Sequence, residues 1–313
     1  MATRLIIVGG FLGSGKTTLL WEAGQRLTEQ GHAVGLITND QAPKLVDTAL
    51  LSRGRMGVRE VAGSCFCCNF GGLVGAVRSL IDCKAEIIIA EPVGSCTDLS
   101  ATIFQPLKDK YPEIALAPLT VLVAPDRLRE VLKKTDSLMH ASVLYILRLQ
   151  MEEADGILLN KIDTLSTEER QAMAGLLRAT FPEARVGEMS ARSGEGIDTW
   201  LASVLGSEEA GRHIADVDYD RYAEGEAVLG WLNAVIDLQS RHGLTDFMKP
   251  TLELLEQVQE ALRRRKAEIG HVKAMLESDA QARDASLTRL DGSITGRNNS
   301  PLAGIAARLI LNI

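Results

Sequence analysis

The 313-residue chain is 46% hydrophobic and carries a formal charge of −7. At about 150 residues per domain this is enough for two domains with sizeable cores, and the acidic balance excludes the basic footprint that binding to nucleic acid requires. No run approaches the ~18 apolar residues needed to span a bilayer, so no membrane partner is expected. Met1–Val8 lacks the charged flank, long apolar stretch and cleavage site of a secretory signal. The expected location is therefore cytoplasmic, where thiols stay reduced.

In chain order, apolar runs at Arg4–Val8, Ala33–Thr38, Ile87–Ala90, Leu119–Ala124, Gly156–Asn160 and Arg185–Met189 predict strands. Amphipathic stretches at Lys16–Gln30, Gly72–Ile81, Asp98–Lys110, Thr167–Thr180 and Gly196–Leu205 predict helices between them. This alternation reads as an α/β fold with a mainly parallel sheet covered on both faces, and such sheets bind ligands at the carboxyl ends of their strands. The acidic stretch Gly206–Tyr222 reads as a linker. Beyond it, Val228, Leu232, Ala234, Ile236 and Leu238 share the parity of a half-buried strand. Met248, Leu252, Leu255, Val258 and Leu262 mark a helix face, and Arg263–Lys266 reads as its solvated end. His271–Leu276, Ser286–Leu290 and Ala303–Ile313 predict further strands. A smaller α+β domain with an antiparallel sheet follows, and the expected domains are 1–212 and 223–313. The last strand stops at Ile313 with nothing after it, which suggests a truncated form.

The first motif, Gly10-Phe11-Leu12-Gly13-Ser14-Gly15-Lys16-Thr17, matches G-x-x-x-x-G-K-[ST] between a predicted strand and a predicted helix. This is a P-loop. Small residues let successive backbone N–H groups curl around phosphate oxygens, and the helix N-terminus adds positive character. Lys16 reaches the β and γ phosphates and Thr17 ligates Mg²⁺. Gly10, Gly13, Ser14, Gly15, Lys16, Thr17 and Thr18 form the expected phosphate-side set. Thr38-Asn39-Asp40 ends the second strand near the same place. There Asp40 can hold a Mg²⁺-bound water or orient the attacking water, an Asn-Asp turn being the plainer account.

Three of the five cysteines, Cys65, Cys67 and Cys68, crowd into four positions between Gly63 and Gly71-Gly72. In a reduced compartment such a cluster is catalytic, metal-binding or merely buried. Converging thiolates suit a soft or borderline cation, zinc, cobalt or nickel, and leave a fourth position open. The spacing is not the C-x-x-C of dithiol oxidoreductases. Cys83 and Cys96 read as simply buried. His32, His140, His213, His242 and His271 are isolated and read as structural or exposed.

Glu91-Pro92-Val93-Gly94 follows the third predicted strand, and Gly94 can approach a phosphate closely because it has no side chain. A strand ending in a turn at Pro92 is the plainer alternative. Asp98 reads as a helix cap. Asn160-Lys161-Ile162-Asp163 stands where the base pocket of such a sheet belongs. A carboxylate at Asp163 accepts from guanine N1–H and its 2-amino group, a pairing adenine does not offer, although a capping Asp163 is also possible. Asn160 braces the loop, the stem of Lys161 lies along the purine, and Ser190-Ala191 completes this side at the end of the next strand.

The order of these motifs, together with Cys65-Phe66-Cys67-Cys68, resembles the CobW group of GTPases, relatives of the nickel chaperones UreG and HypB. The resemblance covers about residues 4 to 205 and, more loosely, the second domain. It implies a P-loop NTPase fold of the SIMIBI class, the class of signal-recognition and MinD proteins, with slow GTP hydrolysis and work in metal delivery. It places Glu91 near Mg²⁺ through water and the Gly94 N–H near the γ phosphate, so that Lys16, Asp40 and Glu91 are the catalytic set and Thr17 and Glu91 the Mg²⁺ set. It makes Cys65, Cys67 and Cys68 a transition-metal site, for zinc or cobalt, joined to the nucleotide state. The implied partners are GTP and GDP, a client metalloprotein or cofactor enzyme, and a second copy in a homodimer that depends on nucleotide. A GTP-dependent chaperone of a corrinoid enzyme, without metal transfer, is the alternative. The chain departs from the group in having Ser64 directly before Cys65 and no histidine-rich storage tract.

Overall fold

The computed structural model describes residues 2–40, 56–132, 139–241, 243–278, 281–296 and 300–313. Its described residues divide into two units, those before Leu229 and those from Leu229 onward. In the first unit, β1 (Thr3–Gly9), β2 (Val34–Asp40), β3 (Gly57–Ala62), β4 (Ile87–Glu91), β5 (Ile114–Leu116), β6 (Thr120–Val123), β7 (Gly156–Leu159) and β8 (Arg185–Glu188) form one sheet. The order is β3-β2-β4-β1-β6-β7-β8, β5 lies beside the start of β1, and every pairing is parallel. Leu5, Ile6, Ile7 and Val8 of β1 and Ile87, Ile88, Ile89 and Ala90 of β4 are all buried. A strand covered on both faces has no polar side to show, so continuous apolar runs mark the centre of a parallel sheet.

Helices cover the sheet. They are α1 (Lys16–Glu29), α2 (Phe70–Asp82), α3 (Gln105–Lys110), α4 (Pro125–Leu132), α5 (Ala141–Glu152), α6 (Thr167–Thr180), α7 (Ile197–Gly206) and α8 (Tyr219–Val228). In α1, Leu19, Leu20, Ala23, Gly24 and Leu27 form the buried stripe. A capping box starts α6, Ser166 accepting from Glu169 N and Glu169 accepting from Ser166 N, a device worth about 1 kcal/mol. Asn69 caps α2 by accepting from Gly72 N at 3.0 Å.

The differences from the sequence reading have local causes. The helix expected over Asp98–Lys110 starts at Ser100 with a π turn, Ser100–Phe104, before α3. Asp98 sits at φ 61°, outside helical geometry, and its carboxylate accepts from the Tyr219 hydroxyl instead of capping a helix. The segment Gly206–Tyr222 is tied down. Asp155 accepts from Leu119 N, Gly211 N and Arg212 N, Gln105 donates to Gly211 O at 2.9 Å, and α8 begins at Tyr219. Cys83 is exposed, not buried.

The second unit is α+β. β9 (Asn233–Gln239), β11 (Val272–Ser278), β12 (Gln281–Leu287) and β14 (Ala306–Asn312) form an antiparallel sheet in the order β12-β11-β14-β9, while β10 (Thr245–Asp246) pairs with β13 (Ala303–Gly304). Leu255 of α9 (Met248–Arg264) packs with Ala274, Leu276, Leu287 and Leu309. The strand expected at Ser286–Leu290 lies earlier because β12 pairs back on β11 from Ser278↔Gln281 to Val272↔Leu287. Only part of the parity expected for β9 points inward: Ala234 and Leu238 pack on the core, Leu232 is 54% exposed and Val228 ends α8. Among the described residues, no helix is long and apolar enough to cross a membrane.

Glu153, which follows α5, accepts from the Thr97 hydroxyl and from Ser100 N, each at 3.0 Å. Burial nevertheless pushes its carboxyl up from 4.5 to about 8. Because folding raises this pKa, the group's contribution to stability is complete below pH 4.5 and is lost as pH rises toward about 8. Urea unfolding across that window should show wild type losing stability relative to Glu153→Gln; a gap that does not change with pH would contradict it.

Candidate functional site

The site begins where β1 ends. Gly10, Gly13 and Gly15 have φ of 127°, 75° and 102°, a region that favours glycine. A Cβ at Gly10 would stand 2.4 Å from Leu122 O, and one at Gly15 would stand 2.4 Å from Asn160 Nδ2. The loop therefore tolerates no side chain at these points. Lys16 Nζ donates to Gly10 O at 2.7 Å, folding its charge back over the loop. Ser14 Oγ is buried without a hydrogen-bond partner, and Thr18 stands half-buried in the first turn of α1.

On one side of β1 lies β4, in register Ile7↔Ala90, which sets Glu91 beside the loop. Glu91 is buried, and the Thr17 hydroxyl donates to its two carboxylate oxygens, both at 3.1 Å. A hydroxyl and a carboxylate at one strand end are the oxygen donors that a hard divalent cation takes. Gly94 passes so close to the P-loop that a Cβ would meet Leu12 N at 3.0 Å. Gln150 of α5 fixes this segment from behind, donating to Gly94 O at 3.0 Å and to Cys96 O at 2.8 Å.

On the other side stands the Asn160–Asp163 turn. Asn160 is a brace: its Nδ2 donates to Ser14 O at 2.7 Å, and its Oδ1 accepts from Ala191 N at 2.9 Å. Ser190 donates to Asp163 Oδ1 at 2.6 Å, holding an otherwise exposed carboxylate. Lys161 adopts φ 62°, and burial lowers its ammonium pKa, with Asp126, Arg127, Asp163 and Arg192 as charged neighbours. Arg127, which sequence reasoning missed, is buried with its guanidinium 5.7 Å from the centre of the Phe11 ring. Its one signal was a charged residue one turn past a strand that ends at the pocket.

Beyond β4, β2 brings Asn39 to the same edge. Its Nδ2 donates to Val61 O and Ser64 O and its Oδ1 accepts from Phe66 N, all at 2.8 Å. One buried amide thus sets the path of the cysteine loop. Asp40 ends β2, and its side chain lies outside the described residues. Cys65 and Cys67 Sγ are 2.6 Å apart, Cys67 and Cys68 Sγ 3.9 Å, and the three sulfurs lie within 4.8 Å of one another. Thiolates on ~2.3 Å bonds around a tetrahedral ion stand roughly 3.8 Å apart, so only the closest pair must open. The close Cys67 sulfur is the main influence holding the Cys65 thiol far below the ordinary thiol range, and the same contact pushes Cys67 up. Cys96 is buried, as expected.

A glycine loop running from the first strand of a parallel sheet into Lys16-Thr17, with a carboxylate on the neighbouring strand, defines a P-loop nucleotide-binding domain. The family model described as CobW/HypB/UreG, nucleotide-binding domain, matches residues 4–188, and the chain belongs to that family. It is similar to the zinc chaperone CobW of Pseudomonas aeruginosa, 28% identical over 218 residues, 58% of this chain and 56% of that one. It is also similar to the zinc-regulated GTPase metalloprotein activator 1 of Dictyostelium discoideum, at 25% over 58% of this chain and 44% of that one. The zinc chaperone YeiR of Escherichia coli is 30% identical over 55% of this chain and 50% of its own length. The chain spans about half the length of these curated relatives.

Asn39→Ala should strand the buried Phe66 N–H and free the loop. Stability should fall by about 1–3 kcal/mol in urea unfolding, and thiol labelling under native conditions should accelerate. An unchanged labelling rate would mean that the amide does not hold the loop.

Proposed function

We propose that the chain is a Mg²⁺-dependent GTP hydrolase that binds a transition metal, zinc or cobalt, on its cysteine loop and delivers it to a client metalloprotein. The observation that carries this reading is the segment Glu91–Cys96. Its first residue bonds Thr17 and its fourth rides on the P-loop, while Asn39 on the adjacent strand holds the cysteine loop at Ser64 and Phe66. A change at the phosphate end would act on a short, braced piece of backbone beside the strand whose Asn39 sets the path of the cysteine loop. The names of the relatives, two zinc chaperones and a zinc-regulated GTPase, support the same assignment.

On the nucleotide side, the loop N–H groups and Lys16 would balance the charge of the triphosphate, and the Asp163 carboxylate would receive the paired donors of guanine. Thr17 and Glu91 would hold Mg²⁺, which neutralises charge on the β and γ oxygens when bound. Asp40, at the neighbouring strand end, is the residue proposed to orient the attacking water. Pairing of two copies across the bound nucleotide and work in the cytoplasm belong to the same proposal.

Nucleotide can drive metal transfer only if the two nucleotide states differ in metal affinity. Competition with a chromophoric chelator should give zinc affinities at least about fivefold apart for a non-hydrolysable GTP analogue and GDP. Lys16→Ala should erase the difference; equal affinities in wild type would remove the coupling. For the base, GTP should outcompete ATP, and Asp163→Ala should weaken GTP on the order of tenfold or more, whereas an ATP preference would point to a kinase or ATPase.

A further inference from the structure

The segment after β4 does not end at the phosphate loop. Every residue from Glu91 to Ser100 is buried, yet those from Pro92 to Asp98 belong to no helix or strand. Buried irregular backbone must find partners for its polar groups in other elements. Gln150 of α5 takes Gly94 O and Cys96 O, and Glu153, just past α5, takes the Thr97 hydroxyl and Ser100 N. Between those two pins stands Asp98, tied to a different helix. Its carboxylate accepts from the hydroxyl of Tyr219, the first residue of α8, at 2.5 Å.

Asp98 is also the strained point of the segment. Its φ of 61° lies in the left-handed region, which a residue with a side chain keeps only where its surroundings enforce it. The π turn Ser100–Phe104 follows directly, a geometry that gathers at functional sites. α8 lies close against α5. A Cβ on Gly225 would stand 2.7 Å from Ser142 O, Asp218 N donates to the Tyr145 hydroxyl at 2.7 Å, and the Arg221 guanidinium is 4.4 Å from the centre of the Tyr145 ring. This helix is the last element of the first unit, and the chain enters the second at Leu229.

The arrangement is a resting one. Lys16 donates to Gly10 O and Thr17 to Glu91, and both must let go before they can serve a triphosphate and its Mg²⁺. We propose that Tyr219 is a positioning residue for the nucleotide site: its bond to Asp98 holds the Glu91–Asp98 segment at rest, and a triphosphate breaks that bond. A pull at Gly94 is transmitted along the buried backbone to Thr97, and the strained torsion beside it relaxes. Tyr219 then loses its partner, and the start of α8 is freed. This rests on the nucleotide-binding reading and extends it to the helix that leads into the second unit.

Two readouts on the full chain test it: affinities for a fluorescent non-hydrolysable GTP analogue and for GDP, and hydrogen exchange of the α8 amides in each state. Tyr219→Phe removes one hydroxyl from a residue that is 60% exposed, so the fold should stand. Because the lost bond favours the resting state, the affinity ratio should move toward the GTP analogue by about three- to tenfold, as one hydrogen bond would give. Wild-type α8 should exchange faster with the analogue than with GDP, and in Tyr219→Phe that difference should vanish. Arg221→Ala, which loosens α8 from Tyr145 without touching Asp98, should leave the ratio as it is in wild type. An unchanged ratio in Tyr219→Phe, an equal change in Arg221→Ala, or α8 exchange that is the same in both states of wild type would overturn the role of Tyr219 and leave nucleotide binding intact. Wild type that binds neither nucleotide would overturn the nucleotide reading itself.

Discussion

A parallel sheet sends the carboxyl ends of all its strands to one edge, and the order β2-β4-β1 along that edge is the constraint from which the site follows. It sets three strand exits side by side: the phosphate loop after β1, the Glu91–Cys96 segment after β4, and Asn39 at the end of β2. Asn39 reaches outward to the cysteine loop that follows β3. Between the phosphate loop after β1 and the cysteine loop after β3 lie two strand exits, those of β4 and β2, braced by Gln150 and Asn39.

Buried amides do most of the holding. Asn39 ties β2 to the cysteine loop, Gln150 ties α5 to the Gly94–Cys96 turn, and Asn160 ties the P-loop to the Ser190-Ala191 turn. Each side chain meets backbone groups that would otherwise be orphaned, and each such bond contributes about 1 kcal/mol net while costing more if broken on one side. Bonds of this kind specify geometry more than they stabilise. A two-state element linking the two sites, as the proposed coupling requires, would have to exchange bonds of this kind.

Much of this was legible in the sequence where chemistry is local. The glycine spacing, Lys16-Thr17, Asn160-Lys161-Ile162-Asp163 and the crowded cysteines name their backbone context within a few residues, and the central strands announce themselves as unbroken apolar runs. What escaped depends on partners distant in the chain. Asn39 looked like half of a turn and Gln150 drew no reading at all, because their partners lie 22 to 56 residues away. The edge strand β3, with Arg59 and Glu60 in its middle, lacks the apolar run of its neighbours, and the start of β12 is set by its hairpin register rather than by its own pattern.

Coupling between two sites is reciprocal: whatever nucleotide does to the affinity for metal, metal must do to the affinity for nucleotide. The most direct test is therefore the affinity for a non-hydrolysable GTP analogue, measured with the sulfur site empty and then saturated with zinc, in wild type and in Cys67→Ala. A zinc-dependent change in wild type that vanishes in the variant is the expected result. The same affinity in all four conditions would mean that the backbone between the pocket and the sulfurs transmits nothing.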